Sequence, residues 1–128
     1  MVEERLPTSV LVVDDEPQVA WVLTWSLEAE GYRTLTARDG LAALRAIREH
    51  RPHLMLLDIM MPTMDGWSVL EEMRRLPDGE RPRVVVVSAL ASLRDRARAA
   101  ELGADAFVPK PFDVEELLEV LHGLERAS

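Results

Sequence analysis

The chain has 128 residues, 48% hydrophobic and 30% charged, which is typical of one globular domain with a sizeable core. Its formal net charge of −8 argues against a nucleic-acid-binding surface, and the absence of cysteine excludes disulfides and thiolate chemistry. No apolar stretch approaches the roughly 20 residues that insert across a membrane, and the polar, acidic first residues are unlike a signal peptide, so we expect a cytoplasmic domain.

Strand and helix patterns alternate from the start of the chain. Residues 9–15 form a continuous apolar run that ends on two acids, which predicts a strand covered on both faces. Pro17 suits the first turn of a helix that ends before Gly31. Residues 32–37 predict a second strand, and Asp39 is expected to cap the helix that follows.

The first helix combines an apolar face with two tryptophans. The residues expected to face the sheet are Val19, Val22, Leu23 and Leu27. Trp21 and Trp25 are four residues apart, so they are neighbours on a stripe displaced from that face.

The second half continues the alternation. The predicted elements are a strand at 53–58, a helix at 66–75, a strand at 83–89, a helix opened by Ser92 with Asp95, a strand at 105–109 and a helix opened by Asp113 with Glu116. Five strand–helix pairs predict an α/β fold with a five-stranded parallel sheet and helices on both faces.

Polar residues follow the apolar strands at the edge where such folds bind ligands. Asp14 and Asp15 end the first strand, Asp58 the third, Ser88 the fourth and Lys110 the fifth. Each residue alone is more often a cap, a turn former or a solvated charge. Their coincidence at four strand ends favours one shared site.

This set of side chains suits phosphoryl chemistry. Converging carboxylates repel one another unless a cation compensates, and oxygen ligands suit Mg²⁺. A carboxylate neutralised in this way can act as a nucleophile and form an aspartyl phosphate. A lysine and a hydroxyl are suitable holders of the transferring group.

The chain resembles the receiver domain of bacterial two-component response regulators. The resemblance rests on "LVVDDEP", "LLDIMMPTMDG", "VVVVSAL" and "ELGADAFVPKPF" with their spacing. It implies one receiver domain over residues 1–128, with an ordered core at about 8–124 between short polar tails. The implied fold is flavodoxin-like and CheY-like, a (βα)5 sheet with strand order 2-1-3-4-5.

The resemblance also implies the metal and phosphoryl-acceptor residues. Asp58 would accept the phosphoryl group. Asp15 would bind Mg²⁺, or Mn²⁺ in its place, directly, and Asp14 mainly through water. The backbone carbonyl of Met60 would complete the metal site.

Further residues correspond to the family's switch. Ser88 would bind the phosphoryl group, followed by the small residue Ala89, and Lys110 would contact it as a cation. Phe107 occupies the aromatic switch position, without the hydroxyl of the commoner tyrosine. The peptide bond before Pro111 would be cis.

Two positions of the pocket rim and two of the first helix extend the hypothesis. By the resemblance, Met60 and Leu90 would overhang the approach of water to the phosphoryl group, and neither apolar side chain could orient a water molecule. In the family the first helix commonly contacts the helices that carry the donor histidine. Trp21 and Trp25 are therefore candidates for partner docking, and the alternative is that both rings are buried against the last helix.

The resemblance implies a signalling switch rather than an enzyme, one that catalyses only its own phosphorylation and dephosphorylation. The expected partners are a sensor histidine kinase or a histidine phosphotransfer protein, and a downstream protein or fused output domain that reads the surface of the fourth helix, fifth strand and fifth helix. A phosphorylation-dependent homodimer stays open. The last helix is short of the basic residues of regulators that dimerise there and bind DNA, which weighs against that subtype.

Two other functions compete with this interpretation. A receiver fold without phosphorylation would be a binding module only. A phosphohydrolase of the haloacid-dehalogenase type would need a second aspartate two residues after Asp58, where this chain has Met60.

Overall fold

Five strands and five helices alternate in the computed structural model, which describes residues 7–127. The predictions for residues 1–6 and 128 lie outside that range. The strands are β1 (Ser9–Val13), β2 (Arg33–Ala37), β3 (Leu54–Leu57), β4 (Arg83–Ser88) and β5 (Ala106–Pro109). The helices are α1 (Pro17–Ala29), α2 (Gly40–His50), α3 (Gly66–Met73), α4 (Leu93–Glu101) and α5 (Val114–Ala127). No helix in the described range is long and apolar enough to cross a membrane.

The strands form one parallel sheet in the order β2-β1-β3-β4-β5, which confirms the predicted fold. Side chains of successive strand residues point to opposite faces. Leu11 and Val13 of β1 accordingly join the core cluster shared with α2 and α3, whereas Val10 and Val12 join the cluster shared with α1 and α5. Burial on both faces explains why the strand sequences show no polar alternation.

Local signals define the helix ends. Gly31 has φ +93° and Gly103 has φ +101°, the left-handed conformation that lets the chain leave α1 and α4. Asp39 caps α2 by accepting the N–H of Ala42, and Ser92 forms a reciprocal capping box with Asp95 at the start of α4.

The end of α3 and the segment after it differ from the prediction, and the strands are one or two residues shorter at some of their ends. Helix α3 ends at Met73, two residues before the predicted end, because the chain turns there. A short 3-10 helix, Asp78–Glu80, follows the turn and was not predicted.

The inward face of α1 also differs from the prediction at one residue. Leu23 and Leu27 are buried, and Val19 and Ala20 pack partly against the same core. Val22 is exposed, so its assignment to the sheet-facing side was wrong. The buried stripe of α1 follows positions 19/20, 23 and 27, and Val22 lies on its flank.

Candidate functional site

The carboxyl ends of β1 and β3 bring acidic side chains together, beside the point where the strand order reverses. The backbone N–H of Asp58 donates to the carbonyl of Val13 at 3.0 Å, which ties the end of β3 to the end of β1. Asp14 is only 3% exposed and Asp58 only 4%. Buried carboxylates of this kind require compensation by charge or hydrogen bonds.

Lys110 supplies that compensation. Its Nζ lies 2.8 Å from Asp14 Oδ2, 3.2 Å from Asp58 Oδ2 and 3.4 Å from Glu16 Oε1. Its backbone N–H donates to the carbonyl of Ser88 at 3.0 Å, which fixes the loop after β5 to the end of β4. Lys110 is also the only lysine in the chain, and the other 14 of its 15 lysine and arginine residues are arginine.

Burial raises the pKa of Asp58 above its ordinary value, and the Lys110 ammonium reduces this rise without cancelling it. The negative charge of Asp14 raises the pKa of Asp58 further, and the N–H of Met60, 3.2 Å from Oδ1, lowers it. Burial alone would lower the pKa of Lys110, but the hydrogen bonds and charges of Asp14 and Asp58 raise it overall. The ammonium therefore stays charged between the two carboxylates.

Three carboxylates, those of Asp14, Glu16 and Asp58, have oxygens within 4.8 Å of one another. Such a set of oxygen donors fits Mg²⁺, which prefers carboxylate ligands and keeps several waters. Asp15 is not in this group but lines the cavity of about 260 Å³ beside it, together with Glu16 and Asp58. Glu16 was not predicted as a site residue.

Glu16 could have been found from its position at the N-cap of α1. Serine, threonine, aspartate and asparagine are preferred there, because their short side chains accept a backbone N–H of the first turn. The side chain of Glu16 makes no cap hydrogen bond and reaches toward Lys110 instead.

The predicted switch residues lie next to this cavity. Ser88 is fully buried at the end of β4, where its Oγ accepts the N–H of Leu90 at 3.2 Å, and Ala89 lines the cavity. Phe107 is partly buried against the core on the α4 side of the sheet. The Lys110–Pro111 peptide bond is cis.

Apolar side chains border the acidic group. Met60 and Leu90 are both exposed and line a second, open cavity of about 390 Å³ with Asp15, Met61 and Trp67. Met60 also lines the acidic cavity, whereas Leu90 lines only this adjoining open one, and the effect of the two side chains on water access stays a prediction.

The tryptophans of α1 are on the surface. Trp21 is 66% exposed and Trp25 is 64% exposed, and their rings stack with centroids 6.3 Å apart and planes 15° apart. The alternative, burial of both rings against α5, is therefore wrong. The two indoles form a continuous apolar surface on a helix without a charged residue from Pro17 to Leu27.

Comparison with known proteins identifies the family. The family model described as "Response regulator receiver domain" matches residues 10–122. The chain belongs to this family. Receiver domains are the parts of two-component systems that histidine kinases phosphorylate, and they are signalling domains rather than metabolic enzymes.

Curated relatives of this receiver domain are longer proteins. It is 39% identical over 124 residues to the probable transcriptional regulatory protein TcrX of Mycobacterium tuberculosis, covering 95% of this chain and 51% of that protein. It is 40% identical over 121 residues to the transcriptional regulatory protein KdpE of the same species, covering 94% and 52%. The chain spans about half the length of the curated relatives it matches.

Solved receiver domains share the fold. The receiver domain of the Francisella response regulator 1452 superposes with a TM-score of 0.87 at 31% identity, covering 94% of this chain and 99% of that one. A receiver domain protein (CheY-like) from Methanospirillum hungatei JF-1 superposes with a TM-score of 0.86 at 30% identity, covering 94% and 96%.

Proposed function

We propose that this receiver domain accepts a phosphoryl group on Asp58 from a histidine kinase or a histidine phosphotransfer protein. The observation that supports it best is the buried Asp58 carboxylate at the edge of an open cavity, with the Lys110 ammonium 3.2 Å away. The end of β3 positions the nucleophile, and the nearby Lys110 ammonium can compensate the negative charge of the incoming phosphoryl group.

In the proposed transfer, an oxygen of Asp58 attacks the phosphorus of a phosphohistidine. The new O–P bond forms as the N–P bond breaks, and the imidazole leaves with the electron pair. Asp14, Asp15, Asp58 and the backbone carbonyl of Met60 would hold Mg²⁺ or Mn²⁺. When bound, the ion neutralises these carboxylates and charge on the phosphoryl oxygens.

The phosphoryl group would then act as the switch. It adds a charge of about −1.5 to −2 to a site that already holds buried acids. Lys110 would turn from the carboxylates to the phosphoryl oxygens, and the hydroxyl of Ser88 would move to donate to them. Phe107 would turn inward into the space vacated, which changes the surface of α4, β5 and α5 that a partner or output domain reads.

Labelling with acetyl phosphate tests the acceptor directly. We expect wild-type protein to gain label in the presence of Mg²⁺, and no label after chelation or in Asp58→Asn, which keeps the side-chain shape. Ser88→Ala is the matched control, because it should still be labelled. Label in Asp58→Asn equal to wild type would exclude Asp58, and a wild-type protein that is never labelled would favour a binding module.

The exposed indoles support a proposal for the partner's position. Glu16 lines the cavity and α1 begins at the next residue, so a protein that reaches the cavity also covers the start of α1. With a rise of 1.5 Å per residue, Trp21 and Trp25 lie about 7.5 and 13.5 Å along the axis from Glu16. We propose that they are the apolar anchor for the phosphodonor, whose contact surface must then be apolar at its centre.

Replacing both tryptophans with lysine tests this docking surface. Among purified sensor kinases, the one that labels wild-type protein fastest should label the double variant at least tenfold more slowly, because a buried aromatic anchor is commonly worth 2 kcal/mol or more. Labelling by acetyl phosphate and thermal stability should be unchanged. Leu41→Lys, an exposed apolar position on α2, is the control. Equal loss in the control, or unchanged transfer in the double variant, would contradict the proposal.

A further inference from the structure

Helix α4 has little apolar packing at its N-terminal end. Ala99 is its only buried residue, whereas α3 buries five. Leu93, the first residue of α4, is 86% exposed. The first turns of α4 therefore bury no apolar side chain against the sheet, and other contacts must hold them.

Two arginines make those contacts. The guanidinium carbon of Arg96 lies 5.2 Å from the centroid of the Phe107 ring, and that of Arg98 lies 4.2 Å from the Trp67 ring. Both distances are within the roughly 6 Å over which a cation is attracted to an aromatic face. The Nε of Arg96 also donates to the carbonyl of Ala91 at 3.2 Å.

The two contacts lie on opposite sides of α4. Residues two apart project about 200° apart around a helix of 3.6 residues per turn. Arg96 therefore reaches toward β5, and Arg98 reaches toward α3, where it covers the nearly buried indole of Trp67. We call the four side chains of Arg96, Phe107, Arg98 and Trp67 the arginine clasp.

We propose that the arginine clasp holds α4 in the resting state of the switch and that Arg96 and Arg98 are positioning residues for it. This inference rests on the proposed function. An inward turn of Phe107 takes the aromatic ring away from Arg96, so phosphorylation opens the β5 side of the clasp. Conversely, the guanidinium of Arg96 stabilises the Phe107 ring in the position it has here, partly buried against the core, and so opposes switching in the unphosphorylated protein.

Arg96→Met tests the clasp, since it removes the cation and keeps an unbranched side chain. One exposed cation–π contact corresponds to about a twofold to fivefold change in an equilibrium constant. Beryllofluoride with Mg²⁺, a stable mimic of the phosphoryl group, should therefore bind Arg96→Met twofold to fivefold more tightly, because the switched state is more populated beforehand. Arg94→Met is the control, because the described residues show no aromatic ring stacked on Arg94. Binding is followed through the amide signals of residues 88–112.

A second measurement separates positioning from general destabilisation. In Arg98→Met the indole N–H signal of Trp67 should move, and the amides of residues 93–98 should exchange with solvent faster while those of α2 do not change. Arg96→Lys, which keeps the charge, should recover part of the wild-type affinity. Equal beryllofluoride affinities for Arg96→Met and Arg94→Met would overturn the clasp. A wild-type protein that does not bind beryllofluoride would overturn the proposed function instead.

Discussion

Replacing Lys110 with methionine should destabilise the metal-free protein because it leaves buried carboxylates facing each other. At an effective dielectric constant of about 20, unit charges attract by about 6 kcal/mol at the 2.8 Å that separates Lys110 from Asp14, and by about 5 kcal/mol at the 3.2 Å to Asp58. Water entry and relaxation offset much of this loss. We therefore expect the free energy of unfolding to fall by about 3–5 kcal/mol at neutral pH, the usual cost of removing one partner of a buried ion pair.

The loss of stability in Lys110→Met should depend on pH, and the pKa shift of Asp58 gives the direction of that dependence. Burial already raises the pKa of Asp58 in the folded protein, and Lys110 opposes that rise, so its removal raises the pKa further. The folded state then binds a proton more tightly than the unfolded chain does. Lys110→Met should therefore be least stable at pH values above the raised pKa of Asp58. As the pH falls from that pKa toward the ordinary pKa of aspartate, the difference in free energy of unfolding between the variant and wild type should shrink.

Urea unfolding with and without Mg²⁺ measures these effects. Mg²⁺ should restore part of the stability of Lys110→Met, since it replaces the missing positive charge, and adding Asp58→Asn should restore stability without metal. Lys110→Arg is the matched control, because it keeps a cation and should lose less. A Lys110→Met protein as stable as wild type, or a deficit indifferent to pH and Mg²⁺, would refute the reasoning.

Two further predictions concern the rim and the backbone of the site. Polar replacement of both Met60 and Leu90 should speed loss of the phosphoryl group about tenfold, because a polar side chain can orient the attacking water. This acceleration is smaller than the one that a fully positioned general base provides. Unchanged decay of the labelled protein would contradict this prediction. Gly66→Ala should cost about 1–3 kcal/mol in urea unfolding and slow labelling of Asp58, because its Cβ would lie 2.6 Å from the Asp58 carbonyl oxygen. Gly79→Ala is the control and should leave the free energy of unfolding unchanged, because no atom lies within 4 Å of its new Cβ. An equal loss of stability in the two variants would exclude steric displacement of Asp58 as the cause.

The predictable part of this protein follows from its strands. Fully buried parallel strands require unbroken apolar runs, and the carboxyl ends of parallel strands share one edge of the sheet. The sequence therefore places Asp14, Asp58 and Lys110 at one edge, and the structure brings their charged atoms within hydrogen-bond distance.

Other features of the site and of the helices depend on the direction in which side chains point, which the sequence pattern does not reveal. Asp14 and Asp15 are adjacent, and adjacent residues at a strand end point apart, so only Asp14 joins the carboxylate group. The Glu16 side chain contacts Lys110 instead of capping α1, and Val22 is exposed because the buried stripe of α1 runs beside it. The contacts of Arg96 likewise arise only when α4 is laid on the sheet.

The single lysine of the chain permits one direct measurement of the central claim. Protein labelled with ¹³C only in lysine should show one side-chain Cε signal, that of Lys110. On addition of acetyl phosphate and Mg²⁺, we predict that this signal moves as the ammonium turns to the phosphoryl group, and that it returns as the phosphoryl group is hydrolysed. Asp58→Asn should show no such movement. A wild-type signal that stays in place, or an equal movement in Asp58→Asn, would contradict phosphorylation of Asp58 beside Lys110.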